Sequence, residues 1–343
     1  MTIIPLIRAA VLVPWVQWLE ANGIAPGPRL AEACIEYLPV HDPDCPVPLV
    51  NACEFVRQMS VAEGADIGCR VFEGSAFSTS TIDDLAKLGI VMKHGGTPRG
   101  ALRRTAAALP RHCSHEILDV EDTEGSILLS DVWRWDFDAE TLHVVQQSVV
   151  SIVQCVCRMT GREPPYFDHV KLMPHPEFGL DHLTKHFDCP ILPTTQPRLE
   201  IRISNEVAHA PFLGTIIEER DVLPEPAEWT RLREDGTLTA SARVALAVMI
   251  RSGTPTVRQL AYSAGMSVRT LQRRLSAEGA DFTRLLDDVR SEVAKQTLAT
   301  GTVDVSSLSS DLGYSHPAAL TRAVRRWTGA SPRKLRQELQ RKT

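Results

Sequence analysis

From Ala240 onward the apolar positions recur at three and four residues, and single glycines separate the runs. "ASARVALAVMIRSG", 240–253, reads as a helix carrying Val244, Leu246, Ala247 and Ile250, with Gly253 as its stop. Thr256 then caps a short helix through Ala264, Gly265 turns the chain, and Ser267 caps a second helix from Val268 to about Glu278. Helix, glycine turn and capped helix make the helix-turn-helix pattern. In the second helix Val268, Leu271 and Leu275 form the buried stripe, while Arg269, Gln272, Arg273 and Ser276 share a different face. After a longer helix in "DFTRLLDDVRSEVAKQTLAT", the pattern repeats in "VSSLSSDLGYSHPAALTRAVRRWTG". There Gly313 is the turn, Ser315 the cap and Pro317 a first-turn residue, where its missing N–H costs little. Leu320, Val324 and Trp327 are spaced for the core, leaving Thr321, Arg322, Arg325 and Arg326 outward. If the helix between the two units is rigid, both second helices reach successive major grooves, roughly 34 Å apart.

The larger N-terminal part mixes both periods, which predicts an α+β domain ahead of an all-α domain with two helix-turn-helix motifs. Helices are expected over about 3–21, 47–63, 81–93, 97–109 and 139–160. "HEILDVEDTEGSILLSDVWRW" alternates like a hairpin turning at Asp122 to Gly125. A strand at 165–173, a helix at 177–187 and a strand pair around 190–203 complete the pattern. "LPEPAEWTRLREDGTLT", Leu223 to Thr239, carries two prolines, an Asp-Gly turn and dense charge, so it reads as a linker. The expected organisation is a 1–223 domain, a 224–239 linker and a 240–343 domain.

Charge sharpens that division. The chain is formally −5, yet 240–343 holds 17 Lys+Arg against 8 Asp+Glu, a net +9, which leaves −14 for 1–239. A basic helical module beside an acidic one points to double-stranded DNA as a partner. Arginine can bridge O6 and N7 of guanine, and glutamine N6 and N7 of adenine, so Arg269, Gln272 and Arg273 suit base reading. No apolar run approaches the roughly 20 residues a membrane helix needs, so no membrane partner is expected. The N-terminal "MTIIPLIRAAVLVPWVQWLEANG" lacks the basic start and small-residue site of a signal peptide, and a cytoplasmic location is the reading. The eight cysteines form no CxxC pair and read as scattered, reduced, mostly buried thiols.

"LGYSHPAALTRAVRRWTGASPRKLR" and "LAYSAGMSVRTLQRRLSAEGADFTRLLDDVRSEVAKQTL" resemble the C-terminal signature of the AraC/XylS family of transcription regulators, including linker-helix residues Arg290, Ala294 and Leu298. The resemblance implies sequence-specific DNA binding, activation through RNA polymerase, and base contacts at Arg269, Thr270, Gln272, Arg273, Thr321 and Arg322. Ser267, Arg274, Ser315, Arg325 and Arg326 are the expected phosphate contacts. The family usually carries phenylalanine where Leu320 and Val324 stand, and small apolar residues where Ser306 and Ser309 stand, so the second unit is expected to be the weaker reader. Residues 1–223 resemble the sensing half of the ornithine-utilisation-regulator branch, through "HDPDCPVPLVNACEFV", "LGIVMKHGGTPRGALRRTAAAL" and "HFDCPILPTT". That implies a non-cupin domain that senses a small-molecule effector and self-associates into a homodimer, with the effector residues unassigned.

Other constellations weigh less. His182 and His186 at i and i+4, with His175 and Cys189 nearby, have metal-ligand spacing, but no HExxH glutamate stands with them, and no metal or other cofactor is expected. His94 suits a helix C-terminus. Trp133, Trp135 and Phe137 alternate along a strand and are expected on one face, lining a pocket, a core or a dimer surface. There is no nucleophile–His–acid set, phosphate loop or dinucleotide fingerprint, and "EGSAFSTSTI" lacks a GxSxG frame, so the chain is not read as an enzyme. Two alternatives remain: a regulator governed by a protein partner or its own abundance, and an enzyme fused to a DNA-binding half. The second would need a zinc-binding cysteine cluster that the scattered cysteines do not offer.

Overall fold

The computed structural model describes residues 3–36, 42–73, 82–214, 217, 221–225, 228–232, 236–300 and 304–340. The chain opens not with one long helix but with a strand, β1 (Leu6–Arg8), a 3-10 turn (Ala9–Leu12) and helix α1 (Val13–Ala21). Pro5 lies in the stretch read as helical, and its Arg8 end pairs antiparallel with β2 (Pro46–Pro48), so strand pairing overrides the apolar periodicity. Helix α2 (Gly27–Glu32) precedes β2, and α3 (Leu49–Glu63) follows it directly. A short α4 (Ile67–Arg70) leads to α5 (Lys87–Lys93) and α6 (Pro98–His112). Thr97 caps α6 by accepting from the Gly100 N–H, and Pro98 opens it. His94 ends α5 as expected, with Nδ1 2.9 Å from the Ile90 carbonyl. Most of "EGSAFSTSTI", 74–81, lies outside the described residues.

Strands β3 (Glu116–Thr123) and β4 (Ser126–Trp133) form the expected hairpin. Helix α7 (Ala139–Arg158) follows, capped by Asp138 through the Thr141 N–H at 2.9 Å. Then come β5 (His169–Leu172), β6 (Ile191–Pro193), β7 (Arg198–Ser204) and a one-turn helix α8 (Asn205–Ala208). The five-stranded sheet has the order β3-β4-β7-β5-β6, so β6 and β7 do not pair with each other; β5 stands between them, parallel to β6. Along β7, Leu199, Ile201 and Ile203 are fully buried while Arg198, Glu200 and Arg202 alternate outward. Each such buried side chain contributes about 1.5–3 kcal/mol. The helix expected over 177–187 is only a 3-10 turn at Asp181–Leu183, because Gly179 and the His175–Gly179 bridge keep the chain irregular.

That irregularity also undoes the metal reading of His182 and His186. His182 Nε2 lies 3.0 Å from His143 Nε2, while His186 faces Asp66 and Glu73 instead. His143 Nδ1 meets the Met173 carbonyl at 2.7 Å, so it carries the proton there and its Nε2 accepts from His182. All eight cysteines are free and five are buried; burial pushes the Cys155 thiol up to about 11.

The C-terminal domain is all helix: α9 (Leu238–Met249), α10 (Val257–Ser263), α11 (Val268–Ala277), α12 (Phe282–Thr300), α13 (Val305–Asp311), α14 (Pro317–Thr328) and α15 (Pro332–Gln340). Leu246, Ile250, Leu260, Leu271, Leu275, Leu298 and Leu320 meet in one core. On α9 the buried face is Leu238, Ala242, Ala245 and Leu246, and the expected Val244 and Ala247 are only partly covered. Ile4 and Leu6, from the other end of the chain, are fully buried in this same core.

Candidate nucleic-acid interface

The first reading unit is built by two caps and one glycine. Thr256 Oγ1 accepts from the Gln259 N–H at 3.2 Å, while Gln259 Oε1 accepts from the Thr256 N–H at 2.9 Å, so α10 starts with two otherwise orphaned donors satisfied. After α10 the chain reverses at Gly265, whose φ of +59° suits glycine. Ser267 Oγ accepts from the Thr270 N–H at 3.2 Å and opens α11. Leu271 and Leu275 are fully buried, so one side of α11 is fixed against the core. Arg269, Gln272, Arg273 and Ser276 stand exposed on the rest of its surface, and Thr270 is half-buried beside Ser267. Arg269 and Arg273 have no ion-pair partner among the described residues, whereas the half-buried Arg274 is engaged within the protein.

Helix α12 carries the second unit. At about 1.5 Å per residue its 19 residues run roughly 28 Å. Ala294 and Leu298 sink into the core, and Arg290 Nε donates to the Leu312 carbonyl at 3.1 Å with its guanidinium 4.9 Å above the Tyr314 ring. Arg290 thereby ties α12 to the turn of the second unit. Asp304 caps α13 through the Ser307 N–H at 2.8 Å, and Gly313 reverses the chain at φ +69°. The N-cap of α14 is His316, with no side-chain cap bond, and not Ser315; Pro317 at the next position needs no N–H partner, which removes much of the demand for a hydroxyl cap. Leu320 and Val324 are fully buried, as is Ser309, whereas Ser306 is exposed; the second core is small and partly polar.

Ser267, Ser315, Arg322, Arg325 and Arg326 are all exposed, and Arg322 and Arg325 have no ion-pair partner among the described residues. Arg326 differs from them: its NH2 is 2.7 Å from Asp287 on α12, and its guanidinium lies against Trp327. Thr321 spends its hydroxyl on the Pro317 carbonyl at 3.0 Å. The basic groups are thus sorted: Arg243 and Arg326 are neutralised by acids of α12, and Arg269, Arg273, Arg322 and Arg325 face outward without one.

The sequence did not disclose what holds the first unit against the N-terminal half. The Ser263 hydroxyl, at the end of α10, donates to Asn51 Oδ1 of α3 at 2.6 Å, and Asn51 Nδ2 donates to the Ala33 carbonyl at 2.8 Å. All of this is buried. A Cβ placed on Gly265 would come within 2.6 Å of the Trp135 ring. Trp133, Trp135 and Phe137 therefore do not share a face: β4 ends at Trp133, Trp133 and Phe137 pack edge to face at 5.5 Å, and Trp135 turns away to the helix-turn-helix glycine.

A helix-turn-helix domain family model matches residues 260–338, the stretch that holds both units. Along 96% of both chains this protein is 24% identical to the HTH-type transcriptional regulator VirS of Mycobacterium tuberculosis. Over 100 residues, 29% of each chain, it is 36% identical to the ornithine utilization regulator of Pseudomonas aeruginosa. Among solved structures the transcriptional regulator CdpR from Pseudomonas aeruginosa aligns over 94% of this chain and 96% of its own, at 17% identity and a TM-score of 0.42. Two glycine-turned units joined by one helix, covered by that family model, make residues 260–338 an AraC-type helix-turn-helix DNA-binding domain, and the relatives place the chain among transcriptional regulators.

Proposed function

We propose that residues 240–343 bind a specific double-stranded site through Arg269, Thr270, Gln272 and Arg273 on α11 and Thr321 and Arg322 on α14. Residues 1–223 sense a small molecule and self-associate, the 224–239 linker joins the two, and bound protein recruits RNA polymerase in the cytoplasm. The observation that carries this reading is the sorting of arginines: those on the outer surface of α11 lack internal acids, while Arg326 and Arg243 have them. Ser267, Arg274, Ser315 and Arg325 flank the helix starts and outer faces, where phosphates would lie.

The test uses the full chain and an operator selected from random duplexes. Each neutralised phosphate releases counterions, so a protein making 6–10 such contacts should lose about 10³–10⁵ in affinity between roughly 50 and 200 mM salt. A flat salt dependence would sink the assignment. The same operator, substituted base by base, tests the inequality of the two readers. Helix α14 begins with Pro317, Ala318 and Ala319 and spends the Thr321 hydroxyl internally, so it offers few bidentate groups beyond Arg322. Substitutions under α11 should each cost about 1–3 kcal/mol and those under α14 clearly less. Equal penalties in both halves would show that α14 reads bases as strictly as α11.

A further inference from the structure

Helices α1, α3, α5, α6 and α7 do not close fully on the β3–β4 hairpin. They leave a cavity of about 100 Å³, comparable to the roughly 150 Å³ cavity that takes up benzene. Its walls are mostly apolar, with Trp15, Cys53, Met92, Leu109 and Ile152 among them; Thr105, His112 and Ser148 are the polar groups on its helices, and no Lys or Arg lines it. The strand side carries an acid. Glu116 lines the cavity from β3, and its register partner on β4 is Trp133, which also lines it. Two residues along β4, on the same face, Asp131 is completely buried. Asp131 Oδ2 accepts from Trp133 Nε1 at 2.9 Å, but Oδ1 has no partner among the described residues. Glu116 receives only the weak Cys113 thiol donor.

One carboxyl group on the wall of an apolar cavity, Glu116, with a second, Asp131, buried behind it on the same sheet face and no Lys or Arg lining the cavity, is an unusual arrangement. Buried carboxylates are ordinarily paired or hydrogen-bonded. Burial, then the charge of Asp131, holds Glu116 well above the usual carboxylate range, and burial raises Asp131 as well. A ligand that brings its own positive charge and N–H donors would satisfy Glu116 and favour the ionised form of Asp131 behind it. The Trp133 ring beside them adds an aromatic face that attracts cations.

We propose that this cavity binds a small organic ammonium with a compact apolar body, its charge held by Glu116 on the wall with Asp131 behind it, and its body by the walls of α3, α6 and α7. The inference rests on the reading that residues 1–223 sense a small molecule, and it names the chemical class sensed. An anionic ligand finds no Lys or Arg here, and a neutral one brings no charge to match an ionised carboxylate.

Thermal shift and calorimetry on the full chain, with benzylamine, benzyl alcohol and benzoate as equal-bodied probes, decide it. Benzylamine should bind at least tenfold tighter than the other two. Glu116→Gln should lose that preference while still binding benzyl alcohol, which shows the cavity of the variant intact. Equal binding of alcohol and amine, or tighter binding of benzoate, would overturn the ammonium assignment while leaving small-molecule sensing untouched. If none of the three binds, the cavity is not the site. Operator affinity with and without benzylamine separates the two readings: amine binding that Glu116→Gln removes, with no change in DNA affinity, would uphold the ligand class and refute sensing.

Discussion

Arg273→Ala is expected to weaken the specific complex by about 1–3 kcal/mol, roughly 5- to 150-fold, and to relax the preference at a single base pair. Arg273 stands one turn beyond Arg269 on the exposed side of α11, free of internal acids, on a helix whose other side is pinned by Leu271 and Leu275. Truncation removes a bidentate donor without disturbing that packing. Arg326→Ala is the contrasting case. Its guanidinium is already occupied by Asp287, an exposed ion pair worth about 0–1 kcal/mol, so its loss should lower affinity slightly and for all sequences alike. Binding of both variants to a panel of singly substituted operators provides the comparison. Identical specificity profiles would mean that Arg273 touches only phosphate.

Asp131→Asn is expected to raise the melting temperature at pH 8 and to leave it nearly unchanged near pH 4. Burial raises the Asp131 carboxyl to about 7 in the folded chain, above its value of about 3.9 when unfolded. The folded state therefore keeps a proton that the unfolded state releases between those values. Stability falls as pH rises through that window, and the full penalty is present above it. Each pKa unit is about 1.4 kcal/mol, so the penalty amounts to a few kcal/mol, and recovering about 2 kcal/mol would raise Tm by roughly 4–8 °C. Asparagine keeps an oxygen for the Trp133 N–H and carries no charge. The buried His112 and His143, held down to about 3 and about 4 by burial, act in the opposite sense, losing stability as pH falls below about 6.5. They are common to both proteins and cancel when the two are compared at one pH. A variant that melts below the parent at pH 8 would show that the ionised carboxylate is better accommodated than its burial implies.

The C-terminal domain was legible because its signals are local. A cap, a glycine at positive φ and an apolar stripe all lie within a dozen residues, and Gly265, Ser267, Leu271 and Leu275 behave as their spacing demands. Ser315 misled, since Pro317 lessens the need for a hydroxyl cap. The N-terminal half was legible in its hairpin and in α3, α6 and α7, but not where distant segments decide. Residues 6–8 look helical until β2 pairs with them, and the order of β5, β6 and β7 depends on contacts no local pattern encodes. The carboxyl pair left a faint trace. Glu116, Leu118 and Val120 alternate on one face of β3, so an acid stood in line with apolar residues, a signal easily read as a strand end. Asn51 carried no signal at all, because its partner Ser263 lies 212 positions away.

The burial of Ile4 and Leu6 among the helices of the DNA-binding domain has a consequence for how the protein is made. These two side chains leave the ribosome about 230 residues before Leu238 and Ala242, with which they share a core. At about 5–20 residues per second they wait roughly 10–50 s for those partners. The Ile4 N–H bond to the Ser241 hydroxyl, at 2.9 Å, forms only after the whole intervening domain has been synthesised. A helical core assembled late is thus completed by residues made well before it. A copy whose N-terminal half has misfolded therefore lacks part of its C-terminal core.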